Sequence, residues 1–346
     1  MSSTEIAIVG DRFMLPSYFQ AELDKLGLDL ACRSLELPWP DEPMEHGYAK
    51  PGLAGLKEFM GDPDAIADFI GNASILVNHL APVTGPMLDR LPDLKLIAVS
   101  RGGPVNIDMA AARERGVKVV NAPGRNASAV AEFTIGAILA ETRLIRAGHE
   151  ALRQGVWRGD LYRADLTGDE LCDLTVGLIG YGFIGTRVTR LLQPFGCRIL
   201  VDDPYVPLQQ VDIDDGVEAV GLDELLERSD IVSLHARVTK ETTGFLGARQ
   251  FARMRRGAYF INTARGPMVD YDALNAALAS GHLRGAMLET FGIEPPPPDW
   301  PLLKLPNVTL TPHIAGASRR TVRYAAEMVA EEVARFLRGE PPLNPC

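Results

Sequence analysis

Three side chains suited to moving protons and holding acids follow apolar runs in the second half of the chain. Arg265 lies in Ile261-Asn-Thr-Ala-Arg-Gly266, Glu294 in Glu289-Thr-Phe-Gly-Ile-Glu-Pro295, and His313 in Thr311-Pro-His-Ile-Ala-Gly316. A guanidinium can fork two parallel hydrogen bonds onto a small carboxylate. Histidine exchanges protons near neutral pH, and a neighbouring carboxylate favours its charged form. Taken singly, Arg265 reads as a surface cation, His313 as a turn residue after Pro312, and Glu294 as a solvated acid before a proline run. Their shared position directly after strand-like segments is what points to chemistry. In open α/β sheets, ligands bind outside the carboxyl ends of the strands.

The elements that would position these groups begin with a cofactor cradle. Thr175 to Ile179 reads as a buried strand running into Gly180-Tyr-Gly182-Phe-Ile-Gly185, which opens an amphipathic segment reaching about Phe195. Gly180 permits the tight strand-to-helix turn, Gly182 lets a pyrophosphate approach the backbone, and Gly185 lets helix and strand pack closely. The helix N-terminus adds unpaired N–H groups and partial positive charge. A second apolar run, Ile199 to Val201, ends in acid, and Asp203 stands 23 residues after Gly180. That is near the spacing expected of the carboxylate that binds an adenosine ribose. A carboxylate there repels a 2′-phosphate, and no cation stands among Asp202, Asp203, Pro204 and Tyr205, so NAD is expected rather than NADP.

Strand-like and helix-like patterns alternate along the rest of the chain. Strands are predicted at residues 5–9, 74–78, 94–99, 117–120, 175–179, 199–201, 231–234, 258–262, 285–288 and 308–310. Helices fall near 16–26, 108–115, 127–147 (continuing towards Trp157), 183–195, 222–227, 248–254, 270–279 and 318–338. This alternation implies parallel, doubly wound sheets. Residues 38–63, with several prolines and glycines around Trp39, His46, Tyr48 and Lys50, break the rhythm as a long loop. The last helix is expected to return to the first domain.

The chain has 346 residues, 46% of them apolar, enough for two cores. A net charge of −10 argues against a nucleic-acid or anionic-membrane surface. No apolar run approaches the roughly 18 residues of a membrane span, and the first residues lack a signal-peptide pattern. Cys32, Cys172, Cys197 and Cys346 show no metal-ligand spacing, so no metal site is expected, and reduced thiols suit a cytoplasmic setting.

With these motifs the chain resembles the D-isomer-specific 2-hydroxyacid dehydrogenase family, in recognisable blocks from about Ile75 to Phe336. Within the family it is similar to phosphoglycerate dehydrogenases, without the expectation of a further C-terminal regulatory domain. Arg265, Glu294 and His313 match the family's catalytic Arg, Glu and His. Val119 to Pro123 and Val130 to Glu132 resemble the segment leading into its dimer-forming helix. The Ser100-Arg-Gly-Gly103 loop and Asn106-Ile-Asp108 match the place where backbone N–H groups hold the substrate carboxylate. The resemblance implies two Rossmann/flavodoxin-like doubly wound domains with parallel sheets, the active site in the interdomain cleft. Residues 1–122 and 318–346 would form the substrate domain and 123–317 the NAD domain, in a homodimer. Cofactor contacts are then expected from Gly180, Tyr181, Gly182, Phe183, Ile184, Gly185, Asp203, His235, Ala236, Thr263, Ala264, Glu289 and Gly316. Substrate contacts are expected from Arg101, Gly102, Gly103 and His79.

Some positions depart from the family pattern. Glu289 stands where Asp is common, near the nicotinamide carboxamide. Arg237 replaces a usual proline. Arg101 puts a cation in the substrate-carboxylate loop, which fits a substrate with extra negative charge or more hydroxyls. The mechanism implied is oxidation of a 2-hydroxy acid to a 2-keto acid and its reverse. In it His313 acts as acid and base, Glu294 biases it towards the protonated form, and Arg265 holds the carboxylate. Formate enzymes resemble the chain but carry Gln at the Glu294 position. NAD-sensing corepressors share the triad and remain the alternative. The substrate stays open, because a fold does not fix specificity.

Overall fold

A computed structural model describes residues 4–39, 53 and 55–346; His46, Tyr48 and Lys50 of the predicted long loop lie outside the described residues. The chain forms two compact units, one from Met1–Asn126 with Ala317–Cys346, the other from Ala127–Gly316.

The first unit is built on five parallel strands, β1 (Thr4–Asp11), β2 (Leu30–Leu37), β3 (Ile75–Asn78), β4 (Leu96–Val99) and β5 (Lys118–Val120), in the order β2-β1-β3-β4-β5. β3 and β4 are buried at every residue, as a parallel sheet covered on both faces requires. Opposite faces alternate along β1: Ala7 and Val9 join one core cluster with Leu76 and Ile97, while Ile6 and Ile8 join the other. That second cluster includes Val322, Ala325, Ala326, Val329 and Val333 of the long helix Arg319–Leu337. Ser318 caps this helix by accepting from the Thr321 N–H. Its buried Glu332 accepts the backbone N–H groups of Leu343 and Asn344, tying the last residues down beside Val120.

The second unit carries seven parallel strands: β6 (Thr175–Ile179), β7 (Arg198–Asp202), β8 (Glu218–Ala219), β9 (Ile231–Leu234), β10 (Tyr259–Asn262), β11 (Gly285–Leu288) and β12 (Val308–Leu310). Their order is β12-β11-β10-β9-β6-β7-β8. The chain starts in the middle at β6 and winds outward in both directions, so the connections reverse between β6 and β9. A crevice opens at such a reversal, on the carboxyl side of the strands. Among the described residues no helix is long and apolar enough to cross a membrane.

Two strands escaped the sequence pattern. β2 is an edge strand whose apolar pattern is interrupted by Cys32, Arg33, Ser34 and Glu36, and β8 is two exposed residues long. The helix predicted over 127–147 is also broken. Ala127–Thr142 ends, Leu144 turns at φ +57°, and a second helix, Ile145–Arg153, follows with no buried residue.

Candidate active site

The glycine cradle has the steric logic its sequence suggests. At Gly180, which turns at φ +103°, a Cβ would lie 2.7 Å from the Ala236 nitrogen and the His235 carbonyl carbon. At Gly185, the first residue of the helix Gly185–Leu192, a Cβ would lie 2.1 Å from the Gly180 carbonyl oxygen. At Gly182 no atom stands within 4 Å of that position. Packing therefore explains two of the glycines and not the third, which faces open space beside a helix N-terminus, where a pyrophosphate would approach.

Asp203 closes the cradle. Its Oδ2 accepts the Tyr181 N–H at 2.7 Å, and its Oδ1 accepts the N–H groups of Tyr205 and Val206. Burial and the neighbouring Asp203 charge push the Asp202 carboxyl up. The Tyr181 side chain is buried, its hydroxyl donating to Asp212 and its N–H held by Asp203, whereas Phe183 is exposed. Burial depresses His235 to about 3, and its Nε2 contacts the Ser233 hydroxyl at 2.9 Å. Neutral and buried, it offers its backbone to Gly180. Thr263 shares a 2.8 Å hydrogen bond with Thr134, and the Ala264 N–H donates to Asn262 Oδ1. These residues fit a bound NAD: a bare N–H-lined turn, an open Gly182, and a carboxylate at the end of β7.

Past β10, β11 and β12 stand the three candidate catalytic side chains. His313 Nδ1 is 2.8 Å from Glu294 Oε2, and Glu294 Oε1 accepts the Phe291 N–H at 2.8 Å. Burial opposes protonation of His313, but the hydrogen bond and charge of Glu294, with Glu289 adding, outweigh it. His313 therefore titrates above the ordinary histidine value, with Arg265 pulling weakly the other way. The Arg265 side chain is exposed, with Nη1 donating to the Ala264 carbonyl; among the described residues no carboxylate pairs with it.

The loops under these groups are fixed. His313 holds a positive φ of +53°, uncommon for a non-glycine residue and often tied to function. Its N–H donates to the Glu289 carbonyl, while Glu289 Oε1 accepts the Ala315 N–H at 2.7 Å. The Glu289 carboxylate, expected near the nicotinamide, thus pins the turn from His313 to Gly316, and burial pushes its pKa up. Behind the Glu294 turn, Trp300 packs on Tyr271 and Phe291, and the Tyr271 hydroxyl donates to the Thr290 carbonyl.

The residues expected to touch substrate lie in the first unit. Arg101 is engaged: Nη1 donates to the Glu58 carbonyl and Nη2 to its carboxylate. Its charge is thus matched within the protein, which weakens the inference of an extra anionic group drawn from Arg101. The Ala122 N–H donates to the Arg101 carbonyl and Asn121 Nδ2 to that of Gly102, which hold the loop through Gly103 in place. His79 is buried, with Nδ1 2.5 Å from Asp11 Oδ2 and Nε2 3.3 Å from an Arg125 nitrogen.

Sequence reasoning missed Asp11, Arg125 and Gly266. Asp11 carried a signal, an acid ending an apolar strand. A Cβ on Gly266 would lie 1.9 Å from the Phe291 carbonyl, so the turn after Arg265 rests directly on the turn that leads to Glu294. No spacing rule exposes such a contact.

A family model described as "D-isomer specific 2-hydroxyacid dehydrogenase, NAD binding domain" matches residues 135–315. The chain is 37% identical over 324 residues to a glyoxylate reductase of Korarchaeum cryptofilum, covering 93% of each chain. It is 41% identical over 260 residues to a glyoxylate reductase of Thermofilum pendens, covering 75% of this chain and 77% of that one. Among solved structures, the TT0316 protein of Thermus thermophilus superposes with a TM-score of 0.77 at 32% identity, covering 98% of this chain and 99% of that one.

Proposed function

The chain belongs to the D-isomer specific 2-hydroxyacid dehydrogenase family, an NAD-dependent oxidoreductase family, and from that premise we propose how its own residues perform the reaction. His313 is the acid and base, Glu294 its partner, and Arg265 the group that binds the substrate carboxylate and polarises the C2 oxygen. The observation that carries this reading is the 2.8 Å contact between His313 Nδ1 and Glu294 Oε2.

The Gly180–Gly185 turn and Asp203 would hold the dinucleotide, which would supply a hydride acceptor for oxidation as NAD and a hydride donor for reduction as NADH. The protein's task is the proton. With Nδ1 on Glu294, the imidazole exchanges its proton with the substrate oxygen through Nε2. It gives a proton to the developing alkoxide in reduction and removes it in oxidation. The raised pKa extends the protonated form of His313 to higher pH than an ordinary histidine allows and so favours reduction of the keto acid. Positioned acid–base help of this kind contributes roughly 10²–10⁴-fold. The exposed Arg265 guanidinium, which no carboxylate among the described residues engages, is suited to a bidentate grip on the substrate carboxylate. The turn shaped by Gly180 and Gly185 receives the pyrophosphate at Gly182, Asp203 binds the adenosine ribose, and the backbone of Tyr181, Phe183, Ile184, His235, Ala236, Thr263, Ala264 and Gly316 lines the cofactor. In the first unit, Gly102 and Gly103 offer backbone N–H groups to the substrate.

The two named relatives make glyoxylate the first 2-keto acid to assay, within a panel graded in length and charge. NADH oxidation by wild type, its near-abolition in His313→Ala, and unchanged NADH binding in that variant are expected. Full turnover in His313→Ala overturns the assignment. The reading also takes a second copy of the chain as partner. Ile145, Leu152, Trp157 and Tyr162, each exposed along residues 145–162, are the apolar side chains this reading assigns to the association surface. A sedimenting dimer that Trp157→Glu dissociates is expected; a wild-type monomer at all concentrations excludes it. The cytoplasm is the compartment this reading assigns, the four cysteines being present as thiols.

A further inference from the structure

The first sheet has the strand order β2-β1-β3-β4-β5, whose connections reverse between β1 and β3. Ligands of doubly wound sheets sit at that reversal, outside the carboxyl ends of the strands. At this point the chain places Asp11 and Arg125, which neither the cofactor nor the His313 chemistry uses, beside His79 and Arg101, which the family resemblance places near the substrate. Asp11 ends β1, His79 directly follows β3, Arg101 follows β4, and Arg125 follows β5.

Three of them form one line. Asp11 Oδ2 lies 2.5 Å from His79 Nδ1, and the His79 Nε2 lies 3.3 Å from an Arg125 Nη nitrogen. Asp11 Oδ1 accepts the N–H groups of Phe13 and Met14, which fixes the carboxylate. Burial opposes ionisation of Asp11, but the His79 contacts and these N–H donors outweigh it and hold its carboxyl below the usual range. Burial holds His79 down to about 4, so the imidazole is neutral. Nδ1–H therefore donates to Asp11, and Nε2 accepts from the guanidinium. Phe13 completes the setting, its ring lying 5.7 Å from both the His79 ring and the Arg125 guanidinium carbon.

The line ends unfinished. The other Arg125 terminal nitrogen, Nη1, is buried and has no hydrogen-bond partner among the described residues. No carboxylate forms an ion pair with Arg125 there, and the neighbouring Arg101 charge adds to the positive field. Buried guanidinium groups are ordinarily paired, and an unsatisfied buried donor is costly. Asp11 is committed to His79, and Glu58 to Arg101. What is missing is an anion of planar or tetrahedral oxygens, which a guanidinium fork matches.

We propose that Arg125, oriented by Asp11 through His79, forms a binding site for a small-molecule carboxylate or phosphate group at the carboxyl edge of the first sheet. Arg125 is the ligand-touching residue; Asp11 and His79 position it. The proposal does not depend on the oxidoreductase reading, because its test reads binding without turnover.

The test is calorimetric titration of the full chain at low ionic strength with malonate in one arm and inorganic phosphate in the other. At least one binds to wild type, and the arms tell the carboxylate source from the phosphate source. Loss of a charge-assisted pair is expected to weaken binding about 10- to 100-fold in Arg125→Gln. Arg125→Lys, which keeps the charge but not the fork, gives an intermediate loss. His79→Asn weakens binding while leaving the guanidinium present, as a positioning role requires. Arg163→Gln, an exposed cation elsewhere, leaves binding unchanged. Thermal melts identify any variant that fails to fold, in which case the Arg125→Lys result decides. No binding of either anion by wild type overturns the proposal, as does equal affinity in a folded Arg125→Gln or Arg125→Lys.

Discussion

His313 and Glu294 are joined by one carboxylate oxygen while the other oxygen of Glu294 is held by the Phe291 N–H, so the acid cannot turn away from the imidazole. Burial disfavours the imidazolium, and Glu294 more than compensates, which puts His313 above its ordinary value. Keto-acid reduction needs the protonated form. The rate of that direction should hold past the ordinary histidine value and fall as pH rises through the raised pKa. Glu294→Gln should move this falling limb of kcat/KM to lower pH. A limb that stays in place in the variant would mean that Glu294 does not set the titration. Stability is linked with the same sign. A folded-state pKa above the unfolded one gives a contribution complete below the ordinary histidine value and lost as pH rises through the folded value. Unfolding midpoints of wild type should therefore fall across that window, and those of Glu294→Gln should be flatter.

Gly182 and Gly185 should separate binding from folding. The Gly182 position meets no protein atom, so Gly182→Ala should melt like wild type yet bind NADH at least about tenfold more weakly, the added methyl standing where the pyrophosphate approaches. Gly185→Ala would press on the Gly180 carbonyl and should lose about 1–3 kcal/mol of stability through overpacking. Fluorescence titration with NADH, run beside thermal melts, distinguishes them. Equal behaviour of the two variants would contradict the steric argument.

Asp203 should set the choice of dinucleotide. Its carboxylate would repel a 2′-phosphate, and it also fixes the N–H groups of Tyr181, Tyr205 and Val206. Asp203→Ser keeps a short acceptor and removes the charge, so the ratio of kcat/KM for NADH over NADPH should fall about tenfold or more. An unchanged ratio in Asp203→Ser would leave the preference to other groups.

Gly266 should couple Arg265 to the Glu294 turn. A Cβ there would collide with the Phe291 carbonyl and the Gly292 nitrogen, both backbone. Gly266→Ala should cost about 1–3 kcal/mol and lower kcat/KM, because the two loops must part. A variant with wild-type stability and activity would show that the loops yield freely.

Much of this was legible in the residues themselves. Hydrophobic runs of four to five residues specify strands buried on both faces, and the glycine spacing with its terminal acid specifies the dinucleotide turn, because both depend on local geometry. Edge strand β2 was not legible, since one side of it faces water and its apolar pattern is diluted. The break at Leu144 was equally hidden: nothing in its neighbours demands a left-handed residue, and the chain's surroundings decide where the helix ends. Arg265, Glu294 and His313 announced themselves by standing after strands. Their arrangement did not, because Glu289 pins the His313 turn and Gly266 rests on Phe291 only once distant strands lie side by side.

The sequence by itself determined the doubly wound parallel architecture and the NAD-dependent family, and it singled out His313 and Glu294 as the pair proposed for acid–base chemistry. Each follows from residue type and short-range spacing, which fix backbone turns and the burial of a strand. Only the tertiary structure decided that Glu58 matches the Arg101 charge, that His79 is a buried neutral link, and that Arg125 keeps a buried donor without a partner among the described residues. Those facts depend on which side chains converge from segments dozens of residues apart, and the strength of a charge is set by that company and by its distance from water.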